Sequence, residues 1–105
     1  MAFEVLAEPH RRLILDLLLE QPRSVGELVK QTGLSQPGTS KHLRVLRDAG
    51  LVHVRKDAQR RMYELNPHAL VELIRWVEPY RRAMASQLDA LERHLDETAT
   101  ERTDP

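Results

Sequence analysis

The sequence has no cysteine among its 105 residues. Disulfides, thiolate metal centres and cysteine nucleophiles are therefore excluded, and nothing argues against a reducing compartment such as the cytoplasm. Glycines number only four, and none of them forms a phosphate-cradling loop. A Ser/His/Asp set with a nucleophile elbow and a helical His-Glu-x-x-His zinc motif are also missing, so enzymatic function has no foothold. No apolar run approaches the 18 or so residues of a membrane span. The start, "MAFEVLAEPHRR", lacks the basic stretch and apolar core of a secretory signal. Even net charge is lacking, because 16 basic side chains balance 16 acidic ones.

That balance conceals a division along the chain. Residues 35–65 carry seven basic side chains (Lys41, Arg44, Arg47, Arg55, Lys56, Arg60 and Arg61) against Asp48, Asp57 and Glu64, a net +4. The segments on either side are net acidic, −1 before and −3 after. A basic middle third between acidic flanks favours a polyanionic partner at one face. The length suits one domain with a single core, which we expect over residues 1–97, with 98–105 as a polar, frayed tail.

Helical periodicity dominates the first half. In "EPHRRLILDLLLEQP", Pro9 suits a first helical turn, Leu13, Ile14, Leu17 and Leu18 make an apolar stripe, and Pro22 ends the run. A shorter helix around Phe3, Val5 and Leu6 precedes it. In "SVGELVKQTG", Ser24 and Glu27 have capping-box spacing, Leu28 and Val29 face inward, and Gly33 supplies a left-handed stop. Only "LS" then separates this helix from "QPGTSKHLRVLRDAG".

Two helices joined by so short a turn with a glycine in it form a helix-turn-helix. The second helix, about residues 35–49, starts with weak helix formers, and Gly38 alone costs roughly 1 kcal/mol against alanine. Ser35 is a good N-cap, and Pro37 is tolerated in the first turn. Thr39, Leu43 and Leu46 share one face, which anchors the helix. Gln36, Ser40, Arg44 and Arg47 share another, with Lys41 beside them. Such a face fits a recognition helix: small residues allow close approach to a major groove, Gln can pair with adenine, and Lys or Arg with guanine or phosphate.

After Gly50 the period changes to two. "LVHVRKDAQRRMYEL", residues 51–65, reads as two strands around a polar loop from Asp57 to Arg60. Arg55, Lys56, Arg60 and Arg61 make this hairpin basic, as expected of a wing contacting phosphates or the adjoining minor groove. From Asn66-Pro67, an N-cap and first-turn proline, a helix of about residues 67–97 carries Leu70, Ile74, Val77, Tyr80, Met84, Leu88, Leu91 and Leu95 at steps of three or four. Pro79 should kink or break it. The seam exceeds what a small domain needs for its own core, so Leu88, Leu91 and Leu95 are expected to meet the same helix of a second subunit. The fold class is thus mainly α with a small β-hairpin: a winged helix-turn-helix dimerising through terminal helices.

Residues 6 to 65 resemble the ArsR family of bacterial winged-helix repressors. "EPHRRLILDLL", "SVGEL", "LSQP" followed three residues later by "KHL", and "AGLV" occur in the family's order. The resemblance implies homodimers whose terminal helices form the interface, with each recognition helix in a major groove. It implies that Gln36, Ser40 and Lys41 touch DNA and that Thr39 serves the core, while Gly38 departs from the family's usual Thr, Ala or Asn. Together with the basic side chains it gives Gln36, Ser40, Lys41, Arg44, Arg55, Lys56, Arg60 and Arg61 as the DNA-binding set of a homodimeric regulator, a repressor by the resemblance, acting on a double-stranded operator.

Many members of that family sense metals. The thiolate site near "SVGEL" cannot be built without cysteine. A second site pairs an Asp-x-His with a His-x-x-Glu or His-x-x-His about three turns further on. His94 and Glu97 have the latter spacing, but the first pair falls on Arg81 and Ala83. His10, His42, His53 and His68 lie on several elements without ligand spacing, so no metal and no cofactor is expected. Two other readings stand beside the main one. The first is a metal-responsive repressor with a non-thiolate His/Glu site. The second is a winged-helix protein-interaction module, whose basic wing would meet an acidic partner.

Overall fold

The computed structural model describes residues 2–103, with side chains from Phe3 to Thr98. Five helices and one hairpin follow in the order α1 (Ala2–Leu6), α2 (Pro9–Glu20), α3 (Val25–Thr32), α4 (Gln36–Asp48), β1 (Val52–Asp57), β2 (Arg60–Leu65) and α5 (Pro67–Thr103). The backbone divides into two compact units, one up to Leu70 and one from Val71. Among the described residues, the buried core lies within the first of these units.

That core consists of Ile14 and Leu18 from α2, Leu28 from α3, Leu43 and Leu46 from α4, and Leu51 and Val52 entering β1, each at most 4% exposed. Truncating any one of the leucines to alanine would cost about 2–5 kcal/mol. Caps fix where the helices begin and end. The Glu8 carboxylate accepts the Arg11 amide at the start of α2, ahead of Pro9. Ser24 and Glu27 form a complete capping box on α3, which ends at Gly33 with φ of 74°. Ser35 Oγ accepts the Gly38 amide at 3.1 Å to start α4. A Cβ at position 38 would stand 3.0 Å from that oxygen, so glycine keeps the cap uncrowded at a position where helix propensity argues against it.

Arg23 is the feature that the pattern of apolar residues did not announce. Only 5% exposed, it sends Nε to the Leu17 carbonyl at 2.9 Å and Nη2 to Glu20 at 2.6 Å. It thereby satisfies a carbonyl that the end of α2 leaves without an intrahelical partner. Its own backbone exchanges two hydrogen bonds with Tyr63, at 3.0 and 2.8 Å, which fastens β2 to the helical body.

The strands pair antiparallel in a register that runs from Val52 opposite Leu65 to Asp57 opposite Arg60. The turn is thus tighter than the expected loop, since only Ala58 and Gln59 lie outside the ladder. Two-residue hairpin turns need left-handed backbone, and Ala58 adopts φ of 56° to supply it without a glycine. At the hairpin's other end, Asn66 Nδ2 donates to the Gly50 carbonyl at 2.8 Å, and its amide donates to the Leu51 carbonyl at 2.9 Å. Asn66 Oδ1 accepts the His68 amide at 3.2 Å, the expected cap of α5.

Helix α5 is continuous over 37 residues with Pro79 inside it, so of the kink or break expected at that proline the break does not occur. Arg81 and Arg82 reach back to the Glu78 carboxylate at 2.7 and 3.3 Å, bracing the turn next to the proline. These contacts hold the Glu78 carboxyl at about 2, chiefly through the hydrogen bond from Arg81. The helix runs on to Thr103, with Thr98 Oγ1 donating to the His94 carbonyl at 2.9 Å. No glycine or proline interrupts the run there, and Ala99 favours helix. Asp104 and Pro105 lie outside the described residues.

Candidate nucleic-acid interface

Two elements carry the basic side chains, and the packing of α4 decides which of its residues face outward. Thr39, Leu43 and Leu46 are buried at 0, 1 and 0% exposure, with Thr39 Oγ1 bonded to the Ser35 carbonyl at 2.9 Å. Thr39 is therefore a core residue. The helical period then leaves Gln36, Lys41, Arg44 and Arg47 exposed, with Ser40 half-buried between them. Hydrogen-bonding groups thus stand at the N-terminal end of the face, with cations along its length.

Ser40, Arg44 and Arg47 line one side of an open cleft of about 460 Å³, and Arg61 and Tyr63 of β2 line the other. Arg61 accordingly belongs with α4 as much as with the hairpin. Arg47 shares the outward face of α4 but lies outside the DNA-binding set expected from the sequence. Its place in the cleft gives it the same standing as Arg44.

The remaining hairpin cations are arranged differently. Arg60 Nη2 donates to Glu27 Oε1 of α3 at 2.5 Å. Arg55 Nε donates to Glu64 Oε2 at 3.2 Å, on a carboxylate that also meets His53 at 2.7 Å. Lys56 is exposed. Among the described residues, Lys41, Arg44, Arg47, Lys56 and Arg61 form no ion pair, whereas Arg55 and Arg60 each do. The two carboxyls involved respond. The hydrogen bond from Ser24 is the largest influence lowering Glu27, partial desolvation opposes it, and Arg60 adds to the lowering. Glu64 is lowered chiefly by the hydrogen bond from His53 and then by Arg55, again against partial desolvation.

Position in the sequence kept one further group apart. The carboxylate of Glu8 and the rings of His10 and His42 offer one ligand atom each, all within 4.8 Å of one another. Neither spacing nor periodicity could pair them, because His10 lies on α2 and His42 on α4. His94 and Glu97 are exposed on α5, and among the described residues no third ligand joins them.

On α5, Ile74, Val77, Tyr80, Met84, Leu88, Leu91 and Leu95 are each between 42 and 62% exposed. That is an unusual amount of large apolar surface on one helix, and it repeats at helical spacing. No described helix is long and apolar enough to cross a membrane.

The pattern of the family described as "Bacterial regulatory protein, arsR family" matches residues 8–54, which run from the cap of α2 into β1. The HTH-type transcriptional regulator YgaV of Escherichia coli is 42% identical over 72 residues, covering 68% of this chain and 73% of that one. The transcriptional repressor BigR of Xylella fastidiosa superposes with a TM-score of 0.63 at 30% identity, over 81% of each chain. The homodimeric winged helix-turn-helix DNA-binding domain of Mb0332 from Mycobacterium bovis gives a TM-score of 0.62 at 29% identity, over 75% of this chain and 73% of that one. These are regulators, not enzymes, and their shared elements are the ones built above. The chain belongs to the arsR family of bacterial regulatory proteins.

Proposed function

We propose that the protein is a homodimeric, sequence-specific DNA-binding repressor of the cytoplasm. The observation that carries this reading is the division of α4: Thr39, Leu43 and Leu46 are sealed in the core, and the opposite face presents Gln36, Lys41 and Arg44 to solvent. Placed in a major groove, that face offers Gln36 and Ser40 to base edges and Lys41 and Arg44 to guanine or phosphate. Arg61 and Lys56 extend the positive surface onto the hairpin, with Arg55 and Arg60 available for phosphate once their carboxylate partners release them. The repressor named among the similar structures supports repression, exerted by occupying promoter DNA.

One copy of α4 offers few base-reading groups, so a single subunit binds weakly. Joining two copies makes the second contact intramolecular and raises avidity by roughly 10²–10⁴. The exposed α5 stripe, with Leu88, Leu91 and Leu95 at its C-terminal end, is the surface we assign to that pairing, in keeping with the homodimeric relative. Two symmetric recognition helices require inverted half-sites about 34–36 Å apart or a multiple of that.

The decisive variant combines Leu88→Asp with Leu91→Asp, which would place unpaired carboxylates in the seam. It is expected to sediment as a monomer, keep its helical circular dichroism and lose tight operator binding. A variant that remains dimeric and binds normally would refute the assignment of α5.

A further inference from the structure

Glu8, His10 and His42 meet where α2 begins against α4. Glu8 caps α2, His10 stands in its first turn, and His42 is in the middle of α4. His10 Nδ1 lies 2.9 Å from Glu8 Oε1, and His42 Nδ1 lies 4.0 Å from Glu8 Oε2. The two imidazoles stack with centroids 5.9 Å apart and planes inclined by 22°.

We propose that these three residues form a binding site for a divalent transition-metal ion of the zinc class. Two imidazole nitrogens and one carboxylate oxygen are the donor set that such borderline cations take, and the absence of thiolate disfavours softer ions. With bonds of about 2.0–2.2 Å, tetrahedral ligands stand roughly 3.4 Å from one another. The separations of 2.9 Å from His10 and 4.0 Å from His42 to the Glu8 carboxylate lie on either side of that spacing, within reach of side-chain rotation.

The surroundings orient the ligands. Glu8 Oε2 accepts the Arg11 amide at 3.0 Å, which fixes the carboxylate and leaves Oε1 for the ion. Arg11 Nε donates to His42 Nδ1 at 3.3 Å, so the lone pair of that nitrogen is aimed at Arg11. The ion takes the place of Arg11 Nε, while Arg11 Nη1 keeps the Val5 carbonyl at 3.3 Å. His10 presents Nδ1 by carrying its proton on Nε2, which gives up the hydrogen bond to Glu8 Oε1 in exchange for the bond to the ion. Three protein ligands leave one position open to water.

The competing account makes the cluster only a cap: Glu8 holds the start of α2 and the histidines hold Glu8. The positive end of the α2 dipole and the Arg11 guanidinium both oppose a cation there. These are partial or movable charges, whereas coordination supplies three short bonds and neutralisation by the carboxylate. Metal would tie the start of α2 to the middle of the helix that carries Gln36 and Lys41.

The test uses the full-length, tag-free protein and needs no DNA, so its result is independent of the repressor reading. Equilibrium dialysis against zinc should give about one ion per chain, and cobalt in its place should give the visible absorption of a four-coordinate site. His10→Gln and His42→Gln should each weaken zinc binding by more than about tenfold, whereas His53→Gln should leave it unchanged. Zinc should raise the melting temperature of the natural protein and not that of His10→Gln. The His10 side chain is 49% exposed, so its substitution should preserve the fold, and it decides the matter alone if His42→Gln does not fold. Zinc binding well below one per chain, or equal affinity in the natural and His10→Gln proteins, would overturn the proposal and leave the cluster a helix cap.

Discussion

Helix α4 and the hairpin carry similar numbers of cations but use them differently. Lys41, Arg44 and Arg47 project from a helix whose other side is locked in the core, and among the described residues none of them forms an ion pair. On the hairpin, Arg60 pairs with Glu27 and Arg55 with Glu64. A count of charges makes the two elements look equivalent toward a polyanion. Their partners make them unequal, because a paired arginine must give up a carboxylate before it gains a phosphate. The difference teaches that local charge sets a ceiling on attraction, and intramolecular pairing decides how much of it remains.

The largest break in the comparison should come from the reading face. Gln36→Ala is expected to lose about 1–3 kcal/mol in each half-site on the cognate operator and almost nothing on scrambled duplexes. Titrations against a panel of mutated operators measure this, and equal losses on all sequences would contradict a reading role.

Next in size is the attachment of the hairpin. Arg23→Ala removes a buried cation that holds the Leu17 carbonyl and Glu20. About 1.5–3 kcal/mol of stability should be lost in urea unfolding. Amide exchange at Tyr63 should quicken well before exchange in α4.

A smaller effect would sharpen the contrast directly. Glu27→Gln keeps a capping-box side chain at its position but frees Arg60. DNA affinity should rise up to about threefold at low salt, a difference below 1 kcal/mol that suits an exposed pair, and should converge with the natural protein at high salt. Arg60→Ala should correspondingly weaken all duplexes less than Lys41→Ala does.

The smallest effect is the response to acid. Glu64 is held below the ordinary carboxylate range, chiefly by His53 and then by Arg55. A folded value below the unfolded one means that the pairing stabilises the hairpin above the unfolded value, near 4.3, and that this is lost as pH falls through the folded value. Hairpin amides should therefore exchange faster below about pH 4, while those of α4 hold. Hydrogen exchange across a pH series reads this residue by residue.

Features carried by neighbours in the chain were legible in the sequence. The Ser24–Glu27 box, the stop at Gly33, the Ser35 cap, the buried face of α4 and the alternation of β1 and β2 all follow from spacings of a few residues. Contacts across long separations were not legible. Glu27 to Arg60 and Glu8 to His42 join residues that only packing brings together, and no periodicity points from one to the other. Arg23 was hidden for another reason: arginine is seldom fully buried, so a burial pattern read from apolar residues passes over it. Ala58 was hidden because a left-handed turn without Gly, Asn or Asp gives no compositional sign. At Pro79 the sequence left a kink and a break both open, and long runs of good helix formers on either side keep the helix unbroken despite a cost of about 3 kcal/mol.

The bonds from Asn66 to Gly50 and Leu51 have a consequence for how this protein can change. They clasp the chain where the hairpin leaves α4 and where it returns, turning residues 51–65 into a loop closed at its base. A closed loop can be lengthened at its tip for little, since the entropy of closure grows only with the logarithm of length. Insertions between Asp57 and Arg60 would therefore leave α4 and the start of α5 where they are. The hairpin is in this sense an exchangeable module, and a repressor built this way can alter its reach along DNA without rebuilding the helix that reads it.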